Sequence, residues 1–397
     1  MLRFARLFSF HLFCYNRNVM PNIIIPNSQE AEEALAALKK RTDPEAERIK
    51  RYLLKLDLSR TSGSPLAHMV ERVKALPVFA GFDDITIPEV VPASVSFDLF
   101  NFPADHPARS RSDTYYINDD YILRTHDTVF WYYYLRLPEI KERIKNKKSM
   151  GALCYGKVYR KDEIDRRHMN IFHQMGGWFI KPDSEGMLTI ADLEYALSEV
   201  VKSIFGQKVE FRFNKDVFPY TDPSLEIEIK VNGEWVEVLG GGMPKKEVLA
   251  NFGLTGYNGW AFGFGLERLA IISMKLPDIR LLWSDDERVK KQLILGNEYK
   301  EVSKYPSVVR DISFVVSKNF IPNNYFDLIR DLGGDLVEEV ELIDTYEDEK
   351  KFGPDTVSYT YRIVYRSNDR TLVLEEVDTI QNEIYKQTAL QFNARLR

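Results

Sequence analysis

Apolar and polar positions alternate most regularly in the segment Tyr155–Ile180. Alternation up to Arg160 predicts one strand, and an aromatic run over residues 172–180 predicts a second. The stretch between them, residues 161–168, is densely charged, so the pattern predicts a hairpin with a charged tip. Charged loops are most often solvated turns. The basic side chains at this tip also suit the binding of a polyanion.

The rest of the pattern predicts helices and short strands up to about residue 298. Apolar residues recur at helical spacing in some segments, and alternation marks others as strands. The predicted helices cover residues 28–56, with a break at Asp43-Pro44, residues 66–76 and residues 190–205. The predicted strands are 85–91, 209–213, 225–231 and 234–239, the last two joined by the hairpin turn Asn232-Gly233.

The segment Tyr299–Arg397 has its own order of elements. The predicted order is strand 311–317, helix 324–332, strand 337–346, strand 356–366, helix 372–390 and a short final strand. This βαββαβ order is that of a ferredoxin-like domain. In the third strand Tyr361 and Ile363 belong to an apolar face that should cover the helices, whereas Arg362 and Arg366 lie on the opposite face and suit phosphate contacts.

Length and composition indicate a globular chain of several domains. With 397 residues and 44% hydrophobic content, the chain can bury a large core and suggests two or three domains. No apolar run approaches the roughly twenty residues that cross a bilayer, so no membrane association is expected. The two cysteines, Cys14 and Cys154, form no disulfide framework or zinc spacing, which fits a reducing compartment.

The net charge of −5 argues against a protein that binds nucleic acid through its overall charge. Residues 299–397 contain 13 Lys+Arg and 18 Asp+Glu, a net charge of −5, so the rest of the chain is neutral. Any contact with RNA must therefore come from a local basic stripe.

The first twenty residues contain three arginines and no acid. This composition is typical of a transit peptide; the alternative is an upstream extension of a chain that starts at Met20. Residues 1–60 are predicted to be an N-terminal extension, residues 61–296 the core domain, and residues 299–397 the C-terminal domain. We expect a cytoplasmic protein, with the mitochondrial matrix as the alternative.

The sequences Tyr-Arg-x-Asp at 159–162 and Phe-His-Gln at 172–174 carry the first resemblance to a known family. Together they resemble the second signature motif of class II aminoacyl-tRNA synthetases, in the version found in phenylalanyl-tRNA synthetases. The resemblance implies that Arg160 holds the α-phosphate of ATP and that Phe172 stacks on adenine.

The segment Gly256–Leu269 combines glycines, apolar residues and Glu-Arg where a strand runs into a helix. It resembles the third class II motif, whose arginine, here Arg268, contacts the γ-phosphate. Glu237 is the candidate acid for Mg²⁺, which takes oxygen ligands and usually arrives with the phosphates it bridges; an ordinary exposed strand glutamate is the alternative. ATP and Mg²⁺ are thus the implied cofactors. The implied ATP-binding residues are Arg160, Asp162, His168, Phe172, Glu237 and Arg268.

Residues 123–128 lie where the family has Arg-Thr-His-Thr-Ser, whose histidine and serine help to bind the amino acid. Residues 260–262 lie at the family's phenylalanine pocket, where two aromatic rings flank a small residue and meet a benzyl group edge to face. The implied amino-acid-binding residues are His126, Asp127, Thr128, Gln174, Trp260, Ala261 and Phe262.

Gly176 is the largest departure from the family pattern. Where the family reads Phe-His-Gln-x-Glu, this chain ends in glycine, and it thereby lacks the acid that meets the substrate's ammonium group. We hypothesise that Asp127, which is new in the neighbouring motif, supplies that charge.

Segments 303–306 and 366–372 resemble the anticodon-binding domain of the same family. The resemblance covers about residues 60–397 and joins core and anticodon domain in one chain. It implies an α+β fold in which an antiparallel class II sheet flanked by helices precedes a ferredoxin-like domain. The implied contacts with tRNA(Phe) are Arg362, Arg366 and Arg370.

The implied reaction is activation of phenylalanine with ATP and transfer to the terminal ribose of tRNA(Phe). We expect no requirement for a separate β subunit, and a monomer or homodimer. No residues remain for an editing domain, so we expect some charging with tyrosine. The alternatives are a class II synthetase for another amino acid, and a noncatalytic tRNA-binding paralogue, which Gly176 suggests.

Overall fold

The computed structural model describes residues 22–302 and 305–397. The predicted transit or upstream segment, residues 1–20, lies outside the described residues, as do Ser303 and Lys304 of the 303–306 motif. Within the described ranges, no helix combines the length and apolar character that a membrane span requires.

Two capped helices follow a short first strand, β1 (Asn22–Ile24). Helix α1 (Gln29–Lys40) begins after Ser28, whose side chain accepts a hydrogen bond from the first turn. Helix α2 (Pro44–Leu54) begins after Asp43 in the same way, with proline at its first position. The predicted break between the two helices is confirmed.

The middle of the chain supplies a large sheet and the helices that cover it. The strands in this part of the chain are β2 (Asp83–Thr86), β3 (Val90–Pro92), β4 (Tyr121–Leu123), β5 (Met150–Tyr159), β6 (Ile171–Pro182), β7 (Phe211–Asp216), β8 (Thr221–Val231), β9 (Glu234–Pro244) and β10 (Tyr257–Gly265). Its helices are α3 (Pro65–Lys74), α4 (Ala93–Phe97), α5 (Phe130–Tyr134), α6 (Pro138–Lys145), α7 (Ile190–Phe205), α8 (Lys246–Asn251), α9 (Leu266–Met274) and α10 (Glu287–Lys290). The predicted hairpin is β5–β6.

Eight strands form one sheet in the order β1-β2-β5-β6-β10-β9-β8-β7. From β5 to β7 all neighbours are antiparallel, while β1–β2 and β2–β5 are parallel. The predicted α+β fold, with a largely antiparallel sheet flanked by helices, is confirmed. The central strands β6 and β10 bring residues from distant parts of the sequence side by side.

The single strand predicted over residues 85–91 is wrong. The chain forms two strands instead, with β2 in the large sheet and β3 paired with β4 in a separate two-stranded sheet. Pro88 lies between them, and proline cannot donate the hydrogen bond that a continuous strand would need there.

Two apolar layers cover the two faces of the sheet. Helices α3, α7 and α9 pack on one face, against Trp260 and Phe262 of β10. The aromatic cluster of α5 packs on the other face, where Trp131 stacks on Trp178 of β6 with ring centroids 4.6 Å apart. Ala261 of β10 belongs to this second layer, as strand alternation requires.

The C-terminal domain has the predicted βαββαβ order with one additional short helix. Its elements are β11 (Val308–Ser317), α11 (Pro322–Gly333), β12 (Val337–Tyr346), α12 (Glu349–Phe352), β13 (Thr356–Tyr365), α13 (Leu374–Phe392) and β14 (Arg395–Leu396). The strand order is β12-β13-β11-β14, which confirms the ferredoxin-like plan. Tyr361, Ile363 and Tyr365 are buried beneath the helices, as the apolar face of β13 predicted.

The loop between β5 and β6 is only partly solvated. Ile164 is buried in the core of the C-terminal domain, and its carbonyl accepts a hydrogen bond from the N–H of Val340 at 3.0 Å. Arg330 of α11 donates to the carbonyl of Asp162 at 2.9 Å. The charged tip of the hairpin therefore joins the core to the C-terminal domain.

Candidate active site

A cleft of about 1250 Å³ lies over the central strands of the large sheet. Its walls are formed by β6, β8, β9 and β10, by the β5–β6 loop and by the first turns of α9. The predicted site residues that line it are His126, Asp127, Thr128, Arg160, Asp162, His168, Phe172, Gln174, Glu237, Ala261, Phe262 and Arg268. Residues from five separate sequence segments thus meet in one cavity.

Arg160 and Phe172 lie together at the end of the β5–β6 hairpin. The guanidinium of Arg160 lies over the ring of Phe172, 5.3 Å from its centroid. Its Nε donates to the carbonyl of Thr125 at 3.0 Å, which directs the remaining nitrogens away from that contact. Arg160 is accessible to solvent from the cleft, yet the surrounding walls displace enough water to lower its pKa. In this arrangement the guanidinium suits a phosphate of a nucleotide, and the aromatic ring suits its base.

Arg268 and Glu237 face each other across the same cleft. Arg268 stands in the first turn of α9, and its Nη1 lies 3.5 Å from Oε2 of Glu237 on β9. Both side chains are about half exposed. Burial raises the pKa of the nearby Glu226, and the negative charge of Glu237 adds to that effect. An arginine beside two acids suits phosphate together with a divalent cation.

The β5–β6 loop contributes further cations that the sequence did not single out. Arg166 and Arg167 line the cleft with His168, and Lys275 does so from the end of α9. Nδ1 of His168 lies 2.8 Å from the Asp165 carboxylate, and this hydrogen bond raises the pKa of the histidine. The high density of charged residues at 161–168 is the sequence feature that could have identified Arg166 and Arg167.

His173 and Glu267 fasten β6 to the start of α9. His173 is fully buried; its Nδ1 lies 2.6 Å from Oε1 of Glu267, and its backbone N–H donates to Oε2 at 2.8 Å. The N–H of Leu58 donates to Nε2 at 2.9 Å, so the ring proton belongs on Nδ1. Phe172 precedes His173 and Arg268 follows Glu267 in the sequence. These bonds therefore fix the positions of Phe172 and Arg268 relative to each other.

The cleft also contains polar groups of a different kind, on Gln174, Asp127 and His126. Oε1 of Gln174 accepts a hydrogen bond from the N–H of Asp127 at 3.0 Å, which places the amide nitrogen at the other end of the side chain. Nε2 of His126 donates to the carbonyl of Ser96 at 3.0 Å. Burial lowers the pKa of His126 to about 4, so the ring is neutral at pH 7. Burial raises the pKa of Asp127 to about 7.

Trp260 is not among the residues that line the cleft, so the structure does not bring it together with the other predicted amino-acid-binding residues. Its ring packs in the helix-covered layer, with centroids 6.0 Å from Phe82 and 5.9 Å from Phe179. Successive side chains of a strand point to opposite faces, which puts Trp260 and Ala261 on different sides of β10. Phe262 lines the cleft but also stacks on Phe79, with centroids 5.5 Å apart.

The three arginines predicted to contact tRNA lie on the C-terminal domain, outside the cleft. Each is paired with a carboxylate: Arg362 with Asp311 at 2.9 Å, Arg366 with Glu338 at 2.8 Å, and Arg370 with Glu376 at 2.6 Å. Arg362 and Arg370 are exposed enough to exchange these partners for phosphate.

Two protein families match this chain. The tRNA synthetases class II core domain (F) matches residues 54–293, which is more than half of the chain. The ferredoxin-fold anticodon binding domain matches residues 303–397. The first match contains every strand of the eight-stranded sheet except β1, and the second contains the four-stranded sheet.

Three named relatives match different shares of this chain. Phenylalanine–tRNA ligase, chloroplastic/mitochondrial, of Arabidopsis thaliana is 39% identical over 330 residues, covering 80% of this chain and 73% of the relative. Phenylalanine–tRNA ligase, mitochondrial, of Mus musculus is 37% identical over 346 residues, covering 78% and 73%. The phenylalanine–tRNA ligase alpha subunit of Psychrobacter arcticus is 36% identical over 231 residues, covering 57% and 62%.

Proposed function

Because the chain belongs to the phenylalanine–tRNA ligases, a family of class II aminoacyl-tRNA synthetases, we propose that it activates phenylalanine with ATP and transfers it to tRNA(Phe). The observation that carries this proposal is that Arg160, Phe172 and Arg268 line one cleft together with Asp127 and Gln174. The arginines of this cleft suit the phosphates of a nucleotide, and its carboxylate and amide suit the polar groups of an amino acid.

In the activation step a carboxylate oxygen of phenylalanine attacks the α-phosphorus of ATP. The new phosphorus–oxygen bond forms as the bond to pyrophosphate breaks. Arg160 stabilises charge at the α-phosphate, Phe172 stacks on adenine, and Arg268 binds the γ-phosphate. Asp162 and His168 border the same nucleotide. The contribution of the protein is positioning and electrostatic stabilisation, and no side chain acts as a nucleophile.

In the transfer step a hydroxyl of the terminal ribose of tRNA attacks the carbonyl carbon of the adenylate. The ester bond forms, AMP leaves with the electron pair of the broken bond, and the hydroxyl proton passes to the departing phosphate. Arg160 is placed to neutralise the departing phosphate, so one arginine serves both steps.

Glu237 is the proposed carboxylate for Mg²⁺. Among the residues that the structure describes, no set of three or more His, Cys, Asp or Glu is arranged to hold a metal ion. A magnesium ion that keeps phosphate and water ligands needs only one or two carboxylates, and Glu237 with the nearby Glu226 fits that requirement. When bound, the ion neutralises phosphate charge and aids departure of pyrophosphate.

The C-terminal domain is proposed to bind tRNA through Arg362, Arg366 and Arg370. Since core and anticodon domain share one chain, the purified chain should act without a separate β subunit, as a monomer or homodimer. The names of the relatives favour the mitochondrial matrix over the cytoplasm. Fluorescent fusions of the full chain and of a chain that starts at Met20 compare the two locations, and equal cytoplasmic signal in both would contradict a mitochondrial one.

Pyrophosphate exchange dependent on phenylalanine is the test of this function. We expect exchange with phenylalanine, and weaker exchange and charging with tyrosine, since an apolar pocket rejects one added hydroxyl only modestly. Exchange with another amino acid alone would indicate a synthetase of different specificity. Binding of tRNA without any exchange would indicate a noncatalytic paralogue.

A further inference from the structure

Asp127 carries a buried carboxylate whose hydrogen bonds the fold satisfies only in part. The residue is 4% exposed, and its Oδ2 has no hydrogen-bond partner among the described residues. It nevertheless lines the cleft. A buried polar oxygen without a partner costs free energy unless a ligand satisfies it, so its position at the wall of a cavity is informative.

The carboxylate occupies space that only glycine at position 176 leaves open. Gly176 of β6 is paired with Gly263 of β10. A Cβ built on Gly176 would overlap Oδ2 of Asp127 and lie 2.7 Å from the carbonyl oxygen of Phe262. A Cβ on Gly263 would lie 3.4 Å from Oδ1 of Asp127. Aspartate at 127 and any side chain at 176 therefore exclude each other.

The surrounding cations do not neutralise Asp127 by contact. Arg124, which is buried nearby, donates to the carbonyl of Lys157 at 3.0 and 2.6 Å. Arg160 acts on Asp127 through its charge but donates to Thr125. A second acceptor, Nδ1 of His126, is also buried without a partner among the described residues. These two acceptors belong to adjacent residues that line the cleft, and a cationic hydrogen-bond donor makes the strongest bond to a carboxylate.

We propose that Asp127, with Nδ1 of His126 as second acceptor, binds the ammonium group of the substrate amino acid. This inference rests on the proposed function and deepens it, because it places the amine of phenylalanine beside Gly176 rather than at a side chain of residue 176. Asp127 contacts substrate and sets specificity for an α-amino acid. Arg160, which does not contact Asp127, is then available to the adenylate.

Two ligands separate ammonium recognition from everything else in the cleft. Phenylalaninol keeps the benzyl and ammonium groups of phenylalanine without the carboxylate, and 3-phenylpropionate keeps the benzyl and carboxylate groups without the ammonium. We expect Asp127→Asn to weaken phenylalaninol binding at least tenfold in calorimetric titration and to leave 3-phenylpropionate binding within about twofold. In pyrophosphate exchange the KM for phenylalanine rises and the KM for ATP does not. Asp119→Asn, which removes the same charge from an exposed side chain, is the matched control.

A measurement on the unaltered chain guards against a variant that fails to fold. Arg124, Arg160, Cys154 and Tyr220 are the other ionisable groups that act on Asp127, and burial raises the pKa of Cys154 and Tyr220 to about 12. We expect phenylalaninol to bind more tightly at pH 8 than at pH 6, while 3-phenylpropionate does not.

The outcomes distinguish this inference from the proposed function. An unaltered chain without phenylalanine-dependent exchange overturns the function. An active chain whose phenylalaninol affinity is the same at pH 6 and pH 8, or is unchanged by Asp127→Asn, overturns the inference alone.

Discussion

At the residue scale, Asp127 links ligand binding to a cost in stability. Burial raises its pKa to about 7 from 3.8. Because the pKa of Asp127 is higher in the folded chain than in the unfolded chain, its side chain causes no loss of stability below pH 3.8. The free energy of unfolding then falls as pH rises from 3.8 to about 7. At about 1.4 kcal/mol per unit, the ionised side chain destabilises the ligand-free protein by on the order of 4 kcal/mol at pH 8.

We therefore expect Asp127→Asn to raise the melting temperature of the ligand-free protein by several degrees at pH 8. The gain should shrink at pH 5, where the aspartate is protonated in the fold. Thermal unfolding at both pH values checks this, with Asp119→Asn as control. A lower melting temperature at pH 8 would show that the carboxylate has a partner in the fold.

Arg160 is the second residue whose replacement has a definite expectation. Arg160→Ala removes the charged donor placed at the α-phosphate and should lower kcat/KM for pyrophosphate exchange about 100- to 1000-fold. Arg160→Lys keeps the charge without the planar fork and should recover part of the loss. Arg136→Ala, on an exposed side chain that lies over Tyr132, should match the unaltered chain. Equal losses for Ala at 136 and 160 would point to a general loss of folding.

At the element scale, the sequence predicts most strands and helices, and fails where an element depends on its neighbours. The spacing in residues 155–180 and 256–269 is sufficient to find β5–β6 and β10–α9, because each contains its own periodicity. The orientation of Trp260 depends on which face of β10 the helices cover, and the split of β2 from β3 depends on pairing with β4. Neither feature can be predicted from the spacing of apolar residues within a single segment.

The bond between β6 and α9 is the element-scale feature with a direct test. Glu267→Ala leaves the N–H groups of His173 buried without an acceptor, and we expect a loss of about 3 kcal/mol in unfolding free energy. Exchange activity should fall as well, since Phe172 and Arg268 adjoin the two residues. Denaturant unfolding and exchange assays measure both effects. Glu247→Ala, at an exposed position of α8, is the control, and similar stability of the two variants would contradict the role of the pair.

At the scale of the whole molecule, the order of elements in the C-terminal domain is readable from sequence, whereas its attachment to the core is not. Residues such as Ile164 and Arg330 come from segments 166 positions apart, and nothing in either segment signals the other. The burial of an apolar residue inside a highly charged loop was the only available hint.

The two domains should separate two activities. Arg362→Gln together with Arg370→Gln removes exposed cations from the proposed tRNA surface and should raise the KM for tRNA(Phe) at least fivefold. Pyrophosphate exchange, which needs no tRNA, should be unchanged. Aminoacylation and exchange assayed at one salt concentration check this. Parallel loss of both activities would mean that these arginines stabilise the fold.

The carboxylate of Glu338 has a consequence for how the two domains communicate. It is 4% exposed and accepts from Arg166, which lines the cleft, at 2.5 Å, and from Arg366 of the proposed tRNA surface at 2.8 Å. When a phosphate binds either arginine in place of Glu338, the ion pair between Glu338 and the other arginine becomes stronger. If nucleotide binds Arg166 and tRNA binds Arg366, the two ligands compete through a shared counter-ion, and thermodynamic linkage makes this antagonism equal in both directions.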